Sequence, residues 1–279
     1  MRLRIKPALG LALSGGGARG LAHIGVLKAL EEEGIKIDFI AGTSMGGFIA
    51  AAYAMGYTPA QMEEEALRKG KFTSIASFLV DFSLPWKGLL EGKKFAEYFE
   101  EKFGDATFKD TRIPLALVAV DLVSGEEVVF REGRIVDALR ATTCVPGLFA
   151  PYALGDKVLV DGGILNHLPA DVVRRMGADV VVAVDVGLEE EKSPLISSRN
   201  PPVFSVLWRT VEVMNKKIKE HKLREAVPDL LICPPVNGDV SLLWGFHKAS
   251  EIIEAGYQAT KENLQTLRKL LRPRLFIRR

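Results

Sequence analysis

The sequence has little of what several specialised protein classes require. Its 279 residues include only two cysteines, Cys144 and Cys233, too few for a disulfide framework. Met1-Arg2-Leu3-Arg4 does not open like a secretory signal, so a reducing cytoplasm is the expected compartment. Long apolar runs are missing, and stretches such as Val180–Val186 are far too short to span a bilayer. Neither sign of charge dominates: 37 Lys and Arg meet 35 Asp and Glu for a net +2, and nothing global points to nucleic acid. There is no internal repeat and no low-complexity block. Histidine is scarce as well, with four in the chain, which narrows the choice of a general base.

What remains is the composition of an ordinary globular protein, 48% hydrophobic and 26% charged, long enough to bury a sizeable core. Short apolar runs alternate with amphipathic stretches, which predicts an α/β fold whose mostly parallel sheet is covered by helices. Strands are expected at Leu9–Leu13, Phe39–Ala41, Leu115–Val120, Val158–Val160, Val180–Val184 and Leu230–Cys233. Helices are expected to begin near Gly20, Ser44, Pro59, Lys93, Ile135, Pro169, Val203 and His247. Gly34, after Glu31-Glu32-Glu33, suits the end of the first helix.

One domain with insertions accounts for residues 1–279, with a motif-bearing core at about 9–186 and a C-terminal strand and helices at about 203–273. Two segments break the rhythm. Phe72–Leu90 is aromatic without clean periodicity and reads as a lid, a pocket wall or a packed loop; Leu188–Pro202 reads as a flexible surface connection. The last dozen residues, 268–279, carry six basic side chains and no acid. They form either a solvated helix end and tail or a basic, partly apolar foot for anionic membrane lipid.

Ser14-Gly15-Gly16-Gly17-Ala18-Arg19-Gly20 stands between a strand and a helix, where backbone N–H groups converge and bind an anion. Gly15, Gly17 and Gly20 satisfy G-x-G-x-x-G, and Asp38 lies near the spacing of a ribose-binding acid. Yet Asp38 opens the second strand, whereas a ribose acid closes it. The other reading is an oxyanion hole, with amides of the loop aimed at a carbonyl oxygen that turns negative on attack. Arg19 then adds positive charge or braces the loop.

Gly42-Thr43-Ser44-Met45-Gly46 follows the next strand and opens a helix, the setting in which G-x-S-x-G projects a nucleophilic serine from a sharp turn. The plainer reading is that Ser44 only caps the helix. A nucleophilic serine needs a base. His23 falls inside a helix, His221 in a charged stretch and His247 at a helix start; only His167 has a plausible position, and the chain order of an α/β-hydrolase is absent. Asp121, Asp161 and Asp185 each end an expected strand, and Asp161 is distinguished modestly by Gly162-Gly163 after it.

Four stretches together resemble the patatin-like phospholipase family: Gly15-Gly-Gly-Ala-Arg-Gly20, Gly42-Thr-Ser-Met-Gly46, Arg140-Ala-Thr-Thr-Cys-Val-Pro-Gly-Leu-Phe-Ala-Pro151 and Asp161-Gly-Gly163. They occur in the family's order and cover about Leu9–Val186, and Ala249–Tyr257 is similar to bacterial members. The resemblance implies a three-layer α/β/α sandwich and a Ser44–Asp161 dyad. It also implies oxyanion amides from Gly15, Gly16 and Gly17, supported by Arg19, Gly42, Gly46, Pro146, Gly162 and Gly163. It implies a lipid or ester substrate and neither metal nor cofactor. The chain departs from the family at Thr142-Thr143, where serine commonly follows the alanine, and this puts substrate shape in question more than catalysis. The expected function is a serine hydrolase of lipid esters (phospholipase A, lysophospholipase or esterase). A short-chain soluble carboxylesterase and a nucleotide-binding regulator are the alternatives.

Overall fold

The computed structural model describes residues 2–72, 91–187, 203–236, 240 and 245–277. The elements run β1 (Arg2–Ile5), β2 (Leu9–Leu13), a 3₁₀ turn at Gly17–Leu21, α1 (Ala22–Glu32), β3 (Phe39–Thr43), α2 (Ser44–Met55), α3 (Pro59–Phe72) and α4 (Lys93–Phe103). Then come β4 (Leu115–Asp121), β5 (Glu126–Phe130), α5 (Ile135–Thr142), β6 (Tyr152–Leu154), β7 (Lys157–Asp161), α6 (Ala170–Arg175) and β8 (Val180–Val184). The described chain closes with α7 (Val203–Ala226), β9 (Leu230–Ile232), α8 (Ala249–Leu270) and β10 (Arg274–Ile277).

Five strands form a parallel sheet in the order β4-β3-β2-β8-β9. Strands β5, β6 and β7 extend it antiparallel from β4. Period-two alternation sorts these strands by size. Leu11, Leu13, Ile40, Leu117 and Val182 join one core with Ile24, Leu27, Ile49 and Ile252 from α1, α2 and α8. Ala12, Ala41, Ala116 and Ala183 face the other way, onto Ala170, Val172 and Val173 of α6. Helices therefore cover both faces, which is the expected three-layer sandwich, thick on one side and thin on the other.

Every expected helix start lies within two residues of an observed helix, and all six expected strands are present. The end of α1 is closed as expected at Gly34, whose backbone is left-handed. Four strands escape a reading by apolar runs: β1, β5, β6 and β10. The last is a correction to the reading of the C-terminus as helix end and tail, because Arg274–Ile277 pairs antiparallel with Arg2–Ile5. Residues 73–90 of the expected lid, and 188–202 of the expected loop, lie outside the described residues. Among the described residues no helix is long and apolar enough to cross a membrane.

Helices α1 and α8 touch backbone to backbone. A Cβ at Gly25 would strike the Ile253 carbonyl, and a Cβ at Gly256 would strike the Ala22 carbonyl. Neither contact leaves room for a methyl group. Gly256→Ala is therefore expected to force the helices apart and destabilise the fold by about 1–3 kcal/mol, read as a lower urea midpoint.

Candidate active site

The carboxyl ends of the parallel strands form one edge, where open α/β sheets bind ligands. The glycine loop leaves β2 there, the elbow leaves β3, and Asp185 follows β8. Ser44 takes φ 55°. A left-handed backbone at a residue with a Cβ stores roughly 1–3 kcal/mol of strain. Three contacts hold it. The Ser44 amide donates to Thr142 Oγ1 at 2.9 Å, and the Thr142 hydroxyl donates to the Val118 carbonyl. Thr43 Oγ1 donates to the Asn166 carbonyl at 2.8 Å. Gly46 presses onto the end of β2, where any Cβ would strike the carbonyls of Leu13 and Ser14, while Gly42 packs against the Gly46 carbonyl.

The Ser44 hydroxyl is not a helix cap. Thr43 occupies that position, and the Ser44 side chain lies beside the Asp161 carboxyl, where it acts against the upward push of burial. Asp161 ends β7, buried, and accepts from the Gly163 amide at 2.7 Å, while its own amide donates to the Cys144 carbonyl at 2.9 Å. Burial pushes its carboxyl up to about 6, against the opposing pull of the Ser44 side chain and the Gly163 amide. Gly162 sits against the Val118 carbonyl.

The glycine loop is tied down on all sides. The Ser14 amide donates to the Val184 carbonyl at 3.0 Å, and the Val186 amide donates to Ser14 Oγ at 2.9 Å. Gly15 donates its amide to the His167 carbonyl at 3.0 Å. That amide is already committed. Gly16 and Gly17 lead into the 3₁₀ turn, whose first N–H groups have no partner within the turn itself. Gly16 has φ 158° and lies where a Cβ would meet Val186 Cγ2 at 2.7 Å. Arg19 donates to the Val240 carbonyl at 3.2 Å, which fits bracing.

The remaining candidates have other partners. Asp121 accepts from the amides of Val123 and Val158 and from the Ser124 hydroxyl, and these outweigh burial to hold its carboxyl below the usual range. Asp185 is paired with Lys219 at 2.6 Å and is also held low despite burial. His167, partly buried, packs beside Gly15 and Gly163, and desolvation drives its ring down to about 4, so it is neutral at pH 7. His23 is driven down to about 4 in the same way and contacts the Ser14 carbonyl at 2.9 Å. His221 lies on α7 beside Glu225, and His247 lies in the turn before α8. Asp38 accepts from the Leu9 amide at 2.9 Å, at the sheet edge opposite Ser44, which removes it from any ribose site.

A cavity of about 300 Å³ opens on Ser44 and Gly17. Phe95, Phe99, Val145, Leu148, Phe149 and Phe246 make it largely apolar. Pro146 and left-handed Gly147 turn the chain so that Val145 accepts from the amides of Leu148 and Phe149. Phe149 meets the Phe95 ring edge-on at 5.5 Å. Cys144 also lines the cavity, its thiol pushed up to about 12 by burial and the nearby Asp161. Sequence reasoning pointed to the 140–151 stretch through the resemblance but missed α4 and Phe246 as its partners in this wall. It also missed Thr142 as the support of the elbow. Among the described residues no group of three His, Cys, Asp or Glu side chains could hold a metal.

A family model described as patatin-like phospholipase matches residues 11–174. Lysophospholipase nte1 of Aspergillus fumigatus is 31% identical over 281 residues, covering 94% of this chain and 18% of that protein. Patatin-like phospholipase domain-containing protein 6 of Homo sapiens is 31% identical over 275 residues, covering 91% of this chain and 20% of that protein. The chain thus spans about a fifth of the length of these relatives. The crystal structure of VipD from Legionella pneumophila shares the fold, with a TM-score of 0.54 at 15% identity over 95% of this chain and 68% of that chain.

Thr142→Val keeps the shape of the side chain but strands the Ser44 amide and the Val118 carbonyl. It is expected to cost about 1–3 kcal/mol in denaturant unfolding, with Thr142→Ser close to wild type.

Proposed function

We propose that this chain, which belongs to the patatin-like phospholipase family, is a serine acyl hydrolase that cleaves carboxylic ester bonds of lipids. One observation supports the reading: Ser44 lines an apolar cavity and lies beside a buried carboxyl, Asp161, that has no cation to balance it and that burial pushes up to about 6. The names of the relatives, lysophospholipase and patatin-like phospholipase, favour a phospholipid or lysophospholipid substrate. Residues 1–279 act in this reading as one hydrolase unit.

Ser44 Oγ attacks the acyl carbon while its proton passes to Asp161. The ester carbonyl becomes an oxyanion facing the amides of Gly16 and Gly17, with the positive end of α2 behind Ser44. Gly15 anchors the loop through His167 rather than donating. Collapse of the intermediate breaks the bond to the alcohol or lysolipid oxygen, which takes the proton from Asp161. Water then attacks the acyl-Ser44 ester as Asp161 accepts a proton, and the fatty acid leaves as that proton returns to Ser44. No step calls for a metal or cofactor. A carboxyl raised to about 6 is a far better proton acceptor than an ordinary aspartate, yet it is still ionised at neutral pH.

The short-chain esterase reading differs only in the acyl group. The aromatic wall of the cavity favours long chains, and hydrolysis across a p-nitrophenyl series from acetate to palmitate discriminates the two.

Ser44→Ala and Asp161→Asn are each expected to lower kcat by at least about a thousand-fold, with the wild-type unfolding midpoint roughly kept. Retention of wild-type rates by both would sink the dyad. Because Asp161 works as the carboxylate, kcat/KM is expected to be flat above about pH 6 and to fall tenfold per pH unit below it. An acid limb at the ordinary aspartate value would mean that the group is not the base.

A further inference from the structure

Helix α7 runs alongside the sheet but is much longer than the sheet is tall. Its C-terminal end lies at the edge away from Ser44, where the Asp229 amide donates to the Val181 carbonyl and Arg174 reaches the Val227 carbonyl. Seven residues before Ala226, Lys219 has already reached Asp185, one residue past the end of β8 and level with the catalytic loops. Residues 203–218 therefore continue beyond the catalytic edge. At helical rise they project by about 24 Å.

Most of the described apolar side chains of this overhang are exposed. None of its described side chains is buried. Val203 is 75% exposed, Met214 56% and Val213 49%, with Val206 and Val211 also exposed. Isolated exposed valines are ordinary, but five large apolar side chains on one projecting segment are not. The two charges among them, Arg209 and Glu212, pair with each other at 3.2 Å. Lys216 and Lys217 are exposed where the overhang meets the body of the protein, Lys217 with its ammonium 2.8 Å from Glu220 in a surface pair that solvent and salt readily open. A helix with apolar contacts followed by a lysine pair matches the polarity profile of a bilayer surface, from acyl boundary to anionic phosphate.

We propose that residues 203–217 of α7 seat this chain on a phospholipid bilayer. Val203, Val206, Val213 and Met214 enter the acyl boundary, and Lys216 and Lys217 meet lipid phosphates. The proposal rests on the lipid-ester reading above, and it gives the apolar cavity a direct source of substrate, since both lie on the catalytic side of the sheet. The arginine-rich C-terminus is placed differently. Strand β10 pairs with β1, which leads through three residues into the start of β2, at the edge opposite Ser44. A membrane held there would face the wrong end of the sheet.

Flotation of the full chain with vesicles of phosphatidylcholine, with and without phosphatidylglycerol, tests the assignment. V213D/M214D is expected to lose bound fraction by at least about ten-fold on both. K216A/K217A should lose only the increment due to the anionic lipid, and that increment should vanish with salt. Both variants should hydrolyse a soluble p-nitrophenyl ester within about two-fold of wild type, which also reports that they are folded. K269A/R272A, at the other edge, should bind as wild type. Wild-type binding by V213D/M214D overturns the proposal. So does a wild-type dimer that this variant converts to monomer without loss of flotation, because a second copy then covers the helix. A wild-type chain that floats but cleaves neither soluble nor vesicle esters defeats the hydrolase reading and leaves the docking surface standing.

Discussion

The contact between Gly46 and the end of β2 sets the geometry of the catalytic edge. With no side chain between them, the first turn of α2 lies directly on the carbonyls of Leu13 and Ser14. That approach brings two separate strand ends within reach of one reacting atom: the glycine loop leaving β2 and the serine leaving β3. The edge is then locked from the opposite side of the site. Thr142 receives the Ser44 amide, and Asn166 and His167 offer their carbonyls to Thr43 and Gly15. These groups come from two places, the end of α5 and the loop after β7, so Ser44 is located by agreement among several backbone segments, not by its own turn alone.

Burial acts on two strand-end acids in the same sense, and their surroundings separate them. Asp185 has the Lys219 ammonium at 2.6 Å and remains an ordinary, stabilised carboxylate. Asp161 has the Gly163 amide and the neighbouring Ser44 side chain, and these do not offset the loss of water. One acid is thereby a structural anion and the other is left with a raised pKa, a divergence of environments typical of acid–base sites and consistent with the base role proposed for Asp161. Between them the neutral His167 ring fills space beside Gly15 and Gly163, so the histidine that sequence reasoning singled out as best placed packs against the site's loops.

Much of this was legible beforehand, because a parallel sheet buried on both faces writes itself as apolar runs, and helices between them carry their own period. The glycine loop, the elbow and Asp161 were legible for a related reason: close backbone approach demands glycine, and glycine is visible. What escaped depends on partners remote in the chain. Strand β1 alternates arginine with leucine or isoleucine, and β10 is a four-residue run flanked by arginines, which drew the reading of the C-terminus towards a tail. Strands β5 and β6 are short antiparallel additions whose faces are only half covered. Thr142 looked like a departure in a loop motif, since nothing local says that its hydroxyl meets a residue 98 positions away. The commitment of the Gly15 amide to His167 is equally invisible without the fold.

The left-handed backbone at Ser44 has an evolutionary side. Such a backbone favours glycine, which carries no Cβ to strain. In the proposed hydrolase reading, thermodynamic stability and hydrolysis thus favour different residues at position 44. A lineage released from the demand for hydrolysis gains stability by the very substitution that removes the nucleophile. In that reading its cavity and loops stay in place, leaving a protein shaped to bind acyl chains without cleaving them.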